Sequence, residues 1–266
     1  MGAGVDRHER LSALLDMIGQ REKIDVEQSA EELDVSPATI RRDLDHLAGR
    51  QLLTRTRGGA VASNVAYDLP LRHKAARNAP EKQRISAAAA QLVERGMVIG
   101  LNGGTTTTEV GRALALKPEL AEESGGAPAL TVVTNALNIA HELAVRPNIK
   151  IVVTGGVARQ RSFELTGPLA SLFLDQVTLD LVFLGVDAFD AQRGAYAHHE
   201  GEASINRQLA ARGAQVVVIA DGGKLGGHAF ARICDTVEVD VLITDSGADP
   251  GQVAAFEAAG IRVITA

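Results

Sequence analysis

A run of glycines and threonines, residues 102–109, follows an apolar stretch and has the composition of an anion-binding loop. Glycines let the backbone approach an anion, free N–H groups at a helix start bind it, and threonine hydroxyls add donors. The loop lacks the Gly-Lys-Ser/Thr ending of nucleotide-hydrolysing loops, so we expect no nucleotide hydrolysis. An ordinary strand-to-helix turn capped by threonine is the alternative. The candidate anion-binding residues are Asn102, Gly103, Gly104, Thr105 and Thr106.

Four further apolar runs also end in glycine or polar residues. Ligands of α/β folds lie at the carboxyl ends of parallel strands, so five such ends would converge on one pocket. Lys224 would neutralise a phosphate group there, and Asp187 would accept hydrogen bonds from sugar hydroxyls. The candidate ligand-binding residues at these four ends are Thr134, Asn135, Gly155, Gly156, Asp187 and Lys224.

Residues 197–202 bring two histidines and two glutamates together in one short segment. Such residue types bind metals, but neighbours in a single segment rarely form a metal site by themselves. We therefore expect neither a metal nor another cofactor. The segment is instead predicted to cover the pocket and contact the ligand, with Glu202 at the positively polarised start of the next helix.

A second group of functional residues lies near the N-terminus, on a predicted helix that begins at Pro37 and runs to about Ala48. Ser36 is a suitable N-cap and proline favours the first helical position. Small side chains at the helix start permit a close approach to DNA, and arginines bind guanine edges or phosphates. The candidate DNA-binding residues of this segment are Ser36, Ala38, Thr39, Arg41 and Arg42.

The elements around this helix form the pattern of a winged helix-turn-helix. Helical spacing of apolar residues predicts helices over 7–20 and 27–33. Residues 51–61 read as a β-hairpin in which Leu53, Arg55 and Arg57 share a face and Gly58-Gly59 forms the turn. The alternative is a plain three-helix bundle with solvated arginines. The cap, the arginine pair and the basic hairpin together favour a reader of double-stranded DNA.

The rest of the chain alternates short apolar, mostly β-branched runs with helical segments. This pattern predicts an α/β fold with a largely parallel sheet covered on both faces. The predicted strands are residues 97–101, 130–134, 149–154, 181–186, 215–220, 241–244 and 261–265. The predicted domains are a winged helix-turn-helix over 1–62, a linker over 63–79 and the α/β domain over 80–266.

Composition narrows the class of protein further. The net charge is −6, yet residues 36–84 are basic, as local DNA binding requires. Aromatic residues make up only 3% of the chain, which disfavours stacking platforms for single-stranded nucleic acid. The single cysteine, Cys234, allows no internal disulfide and fits a reducing compartment. With no signal core and no apolar run of about 20 residues, we expect a cytoplasmic protein without a membrane partner.

The residues Ser36-Pro37-Ala38-Thr39-Ile40-Arg41-Arg42-Asp43-Leu44, followed by Leu52-Leu53 and the wing Arg57-Gly58-Gly59-Ala60, resemble the DeoR family of repressors. The resemblance continues through nearly all of the chain. It implies a sensor domain similar in fold to phosphopentose isomerases. It also implies repression of a carbohydrate-metabolism operon that a phosphorylated sugar effector relieves. Since one recognition helix reads few base pairs, we expect a homo-oligomer on a double-stranded operator.

This chain departs from the family pattern at one place. The family commonly carries two serines before the lysine, where this chain has Gly222-Gly223, so two hydroxyl donors are missing.

The rival hypothesis is an isomerase, since Asp187, Glu202 and Lys224 fall near the acid-base groups of such enzymes. Residues 192–195, however, lack the lysine that those isomerases carry, and we expect no enzyme. A third possibility, a DNA binder without an effector, leaves the strand-end loops unexplained.

Overall fold

The computed structural model describes residues 7–21, 23–49, 53–61, 78–121 and 127–266. The chain divides into two compact units between Asn78 and Ala79. The linker predicted over residues 63–79 lies almost entirely outside the described residues, as does Leu52 of the predicted hairpin. The predicted domain boundaries therefore stay predictions.

The N-terminal unit combines three helices with a small antiparallel sheet. Its elements are α1 (Arg7–Arg21), β1 (Lys23–Asp25), α2 (Val26–Glu32), α3 (Pro37–Gly49), β2 (Thr54–Arg55) and β3 (Gly59–Val61). The predicted helices are confirmed, and their ends shift by at most one residue. The strand order β1-β3-β2 attaches the hairpin to the segment before α2. Leu14, Ile18, Ile40 and Leu44 are fully buried where the three helices meet.

The hairpin differs in one respect from its prediction. Residues 56–58 form the turn, whereas Gly59 is part of β3 and pairs with Asp25 of β1. A Cβ atom on Gly59 would lie 1.9 Å from the carbonyl oxygen of Ile24, so only glycine allows this close pairing. Leu53 is consequently buried while Arg57 is exposed on the turn, and the expectation that they share a face is wrong.

The second unit follows the predicted alternation of helices and strands. Its helices are α4 (Ala79–Gln91), α5 (Thr105–Ala115), α6 (Pro118–Ala121), α7 (Leu137–Leu143), α8 (Pro168–Leu174), α9 (Glu200–Ala210) and α10 (Pro250–Ala258). Its strands are β4 (Val98–Leu101), β5 (Leu130–Thr134), β6 (Ile149–Val153), β7 (Val157–Ala158), β8 (Leu165–Thr166), β9 (Leu179–Gly185), β10 (Ala188–Asp190), β11 (Gly194–Ala197), β12 (Gly213–Ile219), β13 (Ala231–Cys234), β14 (Val241–Thr244) and β15 (Arg262–Thr265).

Seven of these strands form one parallel sheet in the order β15-β14-β12-β9-β4-β5-β6. They are the seven predicted strands, and the predicted fold class is confirmed. Alternate residues of β9 enter different buried clusters, Val182 and Leu184 in one, Leu181 and Phe183 in the other. Both faces of the sheet are therefore covered, which is why its strands read as continuous apolar runs.

The sequence did not predict two smaller elements. β7 and β8 form a two-stranded hairpin, and β10, β11 and β13 form a three-stranded antiparallel sheet. These strands have only two to four residues each, too few for an alternating pattern to stand out. Cys234 lies buried in β13, and desolvation raises the pKa of its thiol to about 12. Within the described residues, no helix is both long and apolar enough to span a bilayer.

Candidate functional site

The start of α3 has the geometry expected of a recognition helix. The Ser36 hydroxyl accepts a hydrogen bond from the Thr39 backbone N–H at 3.2 Å, and the two hydroxyls lie 2.9 Å apart. The backbone carbonyl of Ser36 also accepts from the N–H groups of Thr39 and Ile40. The N-cap is thus formed as predicted, and it leaves Ala38, Arg41 and Arg42 exposed on the opposite side from the core.

The two arginines of α3 differ in their surroundings. A guanidinium nitrogen of Arg41 lies 2.9 Å from a carboxylate oxygen of Glu27 on α2, and both side chains are more than half exposed. Arg42 forms no ion pair with any residue of the described ranges. Arg42 is therefore available to a phosphate or a base at once, whereas Arg41 must first leave a carboxylate.

The predicted wing residues also separate into two kinds. Arg55 bonds the Asp45 carboxylate at 2.8 Å and donates to the carbonyl oxygen of Gly59, which fastens the hairpin to α3. Arg57 is exposed at the tip of the turn. A structural residue that the sequence analysis missed is Asp43, which is buried and accepts a hydrogen bond from Arg10 at 2.6 Å. This bond ties α1 to α3.

The carboxyl edge of the parallel sheet contains the second candidate site. The chain adds β5 and β6 on one side of β4 and the later strands on the other, so the strand order reverses between β4 and β9. Ligands of such folds bind at this point of the sheet. Here the Asn102 side chain donates to the Gly185 carbonyl and accepts from the Gly185 N–H, both at 2.8 Å. Asn102 therefore holds the two strand ends together.

The loop from Gly103 to Thr106 opens α5 at this edge. Gly104 is the N-cap with a φ of 136°, and it supplies no side-chain cap to the helix. The hydroxyls of Thr107 and Thr108 donate to the Gly104 carbonyl at 3.0 and 2.6 Å. Thr106 is buried, and its hydroxyl has no hydrogen-bond partner among the described residues. The first turn of α5 thus has unused donors, as an anion site requires.

The end of β5 adds two buried polar residues. The Thr134 hydroxyl accepts a hydrogen bond from the Ala136 N–H at 3.0 Å, which shapes the turn into α7. The Asn135 amide nitrogen donates to a carboxylate oxygen of Glu164 at 2.9 Å. The amide oxygen of Asn135 has no partner in the described part of the chain. Of this predicted pair, Asn135 has the group that a ligand would satisfy.

Glu164 is the main residue that the sequence analysis missed. Gly155 and Gly156, both with positive φ, turn the chain from β6 into the β7–β8 hairpin, and Glu164 lies on its returning arm. A Cβ atom on Gly103 would lie 2.2 Å from the Glu164 side chain, so the two residues are in direct contact. Gly155 is exposed and Gly156 packs on Thr166, so both glycines position this hairpin, and their effector contact stays a prediction.

Arg159, on the same hairpin, contributes the best-buried cation near the edge. Its guanidinium bonds a carboxylate oxygen of Glu202 at 3.0 Å, with side chains 16% and 10% exposed. His199 is the N-cap of α9, the helix that carries Glu202, and its Nδ1 accepts a hydrogen bond from the Gly201 N–H at 3.2 Å. In the described ranges, no three His, Cys, Asp or Glu side chains are grouped as a metal site would need.

Asp187 and Lys224 complete the edge next to β9. One Asp187 oxygen accepts a hydrogen bond from the His198 backbone N–H at 2.9 Å. The Lys224 ammonium group donates to the Val186 carbonyl at 2.7 Å and lies 4.0 Å from Asp221. Lys224 therefore contacts Val186, the residue directly before Asp187 in the chain.

Electrostatics distinguish Glu164 from the other acids of the site. Burial raises the pKa of Glu164 to about 8, and the nearby charges of Glu202 and Asp187 act in the same direction. Hydrogen bonds from Asn135 and Asn206 oppose part of this shift. Near neutral pH, the Glu164 carboxyl is therefore mostly protonated.

The missing serines before Lys224 have a steric explanation at one position. A Cβ atom on Gly222 would lie 2.6 Å from the Ala248 Cα, which is closer than any side chain permits. The Gly222 N–H meanwhile donates to Asp245 at 2.7 Å. Glycine at 222 follows from this close packing, while Gly223 is exposed and under no such constraint.

Comparisons with known proteins match each of the two units to a family of domains. Residues 10–65 match the DeoR-like helix-turn-helix domain and residues 77–246 match the DeoR C terminal sensor domain. The HTH-type transcriptional regulator GlpR of Haloferax volcanii is 33% identical over 257 residues, covering 96% of each chain. The chain belongs to the DeoR family of transcriptional regulators. As a member of this family it is a regulator rather than an enzyme, with a DNA-binding domain and an effector-sensing domain.

Another relative of this DeoR protein is the glycerol-3-phosphate regulon repressor of Escherichia coli K12, which is 28% identical over 90% of each chain. Among solved structures, ribose 5-phosphate isomerase A from Neisseria gonorrhoeae matches 54% of this chain and 52% of its own, with 17% identity and a TM-score of 0.39. The full-length sorbitol operon regulator SorC from Klebsiella pneumoniae matches 93% and 98% of the two chains, with 14% identity and a TM-score of 0.39.

Proposed function

We propose that this DeoR regulator represses a carbohydrate-metabolism operon by binding double-stranded operator DNA, and that a phosphorylated sugar releases it. The observation that carries the effector assignment is the open first turn of α5 beside two buried, unpartnered polar atoms. These are the Thr106 hydroxyl and the Asn135 amide oxygen. A buried polar group without a partner costs free energy, and a bound ligand that satisfies both atoms recovers it.

The two parts of a sugar phosphate fit different sides of this edge. The phosphate would lie on the N–H groups of residues 104–106, where the helix dipole favours an anion. The sugar hydroxyls would then reach Asn135 and Asp187, both of which present oxygen acceptors. Lys224 is held by the Val186 carbonyl at the same edge and would supply a counter-charge. A relative named a glycerol-3-phosphate regulon repressor supports this class of effector.

DNA binding would use the exposed face of α3 and the turn of the wing. Arg42 and Arg57 are exposed, and the ion pair between Arg41 and Glu27 is exposed as well. We propose that the α3 arginines read base edges in the major groove while Arg57 contacts the phosphate backbone.

Assembly is the second part of the proposal. One recognition helix reads too few base pairs for adequate specificity, so we propose a homo-oligomer formed through the α/β unit. Leu169 and Leu172 of α8 are 66% and 65% exposed, and Leu172 lines a recess of about 450 Å³ between α8 and α9. A second copy of the chain is the proposed occupant of this surface.

Light scattering should give a multiple of the 27.9 kDa monomer, and Leu172→Asp should lower that mass. Leu116→Asp, at another exposed leucine, is the control, and a monomeric wild type contradicts the proposal.

The effector proposal is tested by fluorescence anisotropy of labelled DNA from the protein's own promoter. A panel of sugar phosphates is titrated into the complex. An effector with a coupling of about 1–3 kcal/mol would weaken DNA affinity roughly 5–150-fold. A thermal-shift screen of the same panel provides an independent readout, since a ligand of the native state raises the melting temperature. If no phosphorylated sugar changes either quantity, the sensor assignment is wrong.

A further inference from the structure

The carboxyl edge of the sheet brings Glu164, Glu202 and Asp187 close to one another. Of three acids there, Glu202 is bonded to the Arg159 guanidinium and Asp187 accepts from a backbone N–H. Glu164 is the most deeply buried of the three, and it accepts a hydrogen bond from the neutral amide of Asn135 at 2.9 Å. Other ionisable groups around the edge are Lys224, Asp221, His198 and His199. A negative charge on Glu164 would therefore be buried and close to two other carboxyl groups, which disfavours it.

Glu164 also lies beside the start of α5, where we propose that the anion binds. Its side chain is in contact with Gly103, directly before the N-cap Gly104. A phosphate on the N–H groups of residues 104–106 would come within reach of this carboxyl. An ionised carboxylate would repel it, whereas a carboxylic acid would donate a hydrogen bond to it.

We propose that Glu164 binds the effector as a protonated acid, donating a hydrogen bond to its anionic group, and thereby couples effector binding to the uptake of one proton. The inference rests on the proposed sugar-phosphate function and adds a regulatory input to it. The only bond formed is the O–H bond of the Glu164 carboxyl, whose proton comes from solvent, and the effector is not altered chemically. Rising pH then weakens effector binding, so that the repressor stays on DNA under alkaline conditions.

The electrostatics of the site place this coupling in an accessible pH range. Because burial and the charges of Glu202 and Asp187 raise the Glu164 pKa to about 8, the free protein loses this proton on moving from pH 7 to 9. A bound anion raises the pKa further, since a second negative charge disfavours the carboxylate. Affinity should then fall by up to about tenfold for each pH unit between the two pKa values.

The test is isothermal titration calorimetry of the full-length protein at pH 8.5. Ribose 5-phosphate, glycerol 3-phosphate and inorganic phosphate are the probes, each measured in two buffers with different heats of ionisation. The expected result is an uptake of about half to one proton for each bound probe. At this pH the phosphate group itself is fully ionised, so its own titration contributes little.

Variants test whether Glu164 is the residue that takes up the proton when a probe binds. Glu164→Gln should abolish the uptake and flatten the pH dependence of affinity between pH 7.5 and 9.5. Glu257→Gln, an exposed glutamate on α10, should behave as the wild type. If a probe binds the wild type without proton uptake, or if Glu164→Gln still takes up the proton, this inference is wrong while the proposed function stands. If no probe binds, the proposed function fails and the inference with it. The wild-type measurement decides the question even where a variant does not fold.

Discussion

The DNA-facing side that we propose for the N-terminal unit, α3 with the β2–β3 hairpin, and the carboxyl edge of the α/β unit use charge in opposite ways. Arg41 and Arg55 form ion pairs on the surface, where water and salt screen them. Glu164 and Glu202 are buried, and burial together with the nearby charges of Glu202 and Asp187 raises the pKa of Glu164 to about 8. Substitutions on the DNA-facing side should therefore act mainly on binding. Substitutions at the strand-end edge should change both stability and ligand binding.

The largest expected effect is on the pH dependence of stability. The pKa of Glu164 is raised from 4.5 in the unfolded chain to about 8 in the folded protein. The folded state therefore holds a proton that the unfolded state has lost, and stability decreases as pH rises from about 5 to 8. One such proton changes the free energy of unfolding by about 1.4 kcal/mol per pH unit. Glu164→Gln should remove this slope, measured by urea denaturation at pH 5, 6, 7 and 8. Equal slopes for variant and wild type would show that the buried acid does not titrate in this window.

The next effect concerns the DNA-facing side. The double variant Arg41→Ala/Arg42→Ala should weaken binding to a promoter fragment by about 1–3 kcal/mol per base-reading arginine. Its stability should stay within about 0.5 kcal/mol of the wild type, because both side chains are exposed. Gel-shift titration measures the affinity, with Arg146→Ala, an exposed arginine of the other unit, as the control. Unchanged affinity of the double variant would show that α3 is not the recognition helix.

The sequence predicted the sheet well because buried parallel strands leave a strong signal. All seven strands appear as apolar runs of the right length, and the glycines and threonines after β4 mark the loop that we propose binds an anion. The sequence contains no comparable signal for which side chains contact one another in the folded protein. Glu164 is an isolated acid after Phe163, and only the turn at Gly155 and Gly156 brings it against Gly103. Arg159 and Asn206 are likewise brought to the edge by tertiary contacts across more than 40 residues.

A smaller effect tests whether the unused polar atoms await a ligand. Thr106→Val keeps the side-chain shape and removes a buried hydroxyl that has no partner among the described residues. The free protein should become more stable by about 1 kcal/mol, while effector affinity falls roughly five- to tenfold with the lost hydrogen bond. Thr244→Val is the matched control, since its hydroxyl is also buried and unpartnered but lies on β14. The control should gain stability and keep effector affinity, measured by thermal unfolding and calorimetry. A loss of stability in Thr106→Val would mean that the hydroxyl is already bonded in the free protein.

The smallest effect is expected at the surface pair between Glu27 and Arg41. Exposed ion pairs contribute about 0–1 kcal/mol, so Glu27→Gln should leave the stability of the fold nearly unchanged. DNA binding requires Arg41 to leave this carboxylate, and the carboxylate itself repels phosphates. Affinity for the promoter fragment should therefore increase, by roughly two- to fivefold at low salt, and the gain should shrink as salt rises. Glu31→Gln is the matched control because it removes the same charge from an exposed site on α2 that forms no ion pair with the described residues. A larger gain for Glu27→Gln than for Glu31→Gln isolates the pairing from net charge. If Glu27→Gln instead weakens binding, the carboxylate orients Arg41 for the DNA, and part of the reading geometry is fixed before DNA arrives.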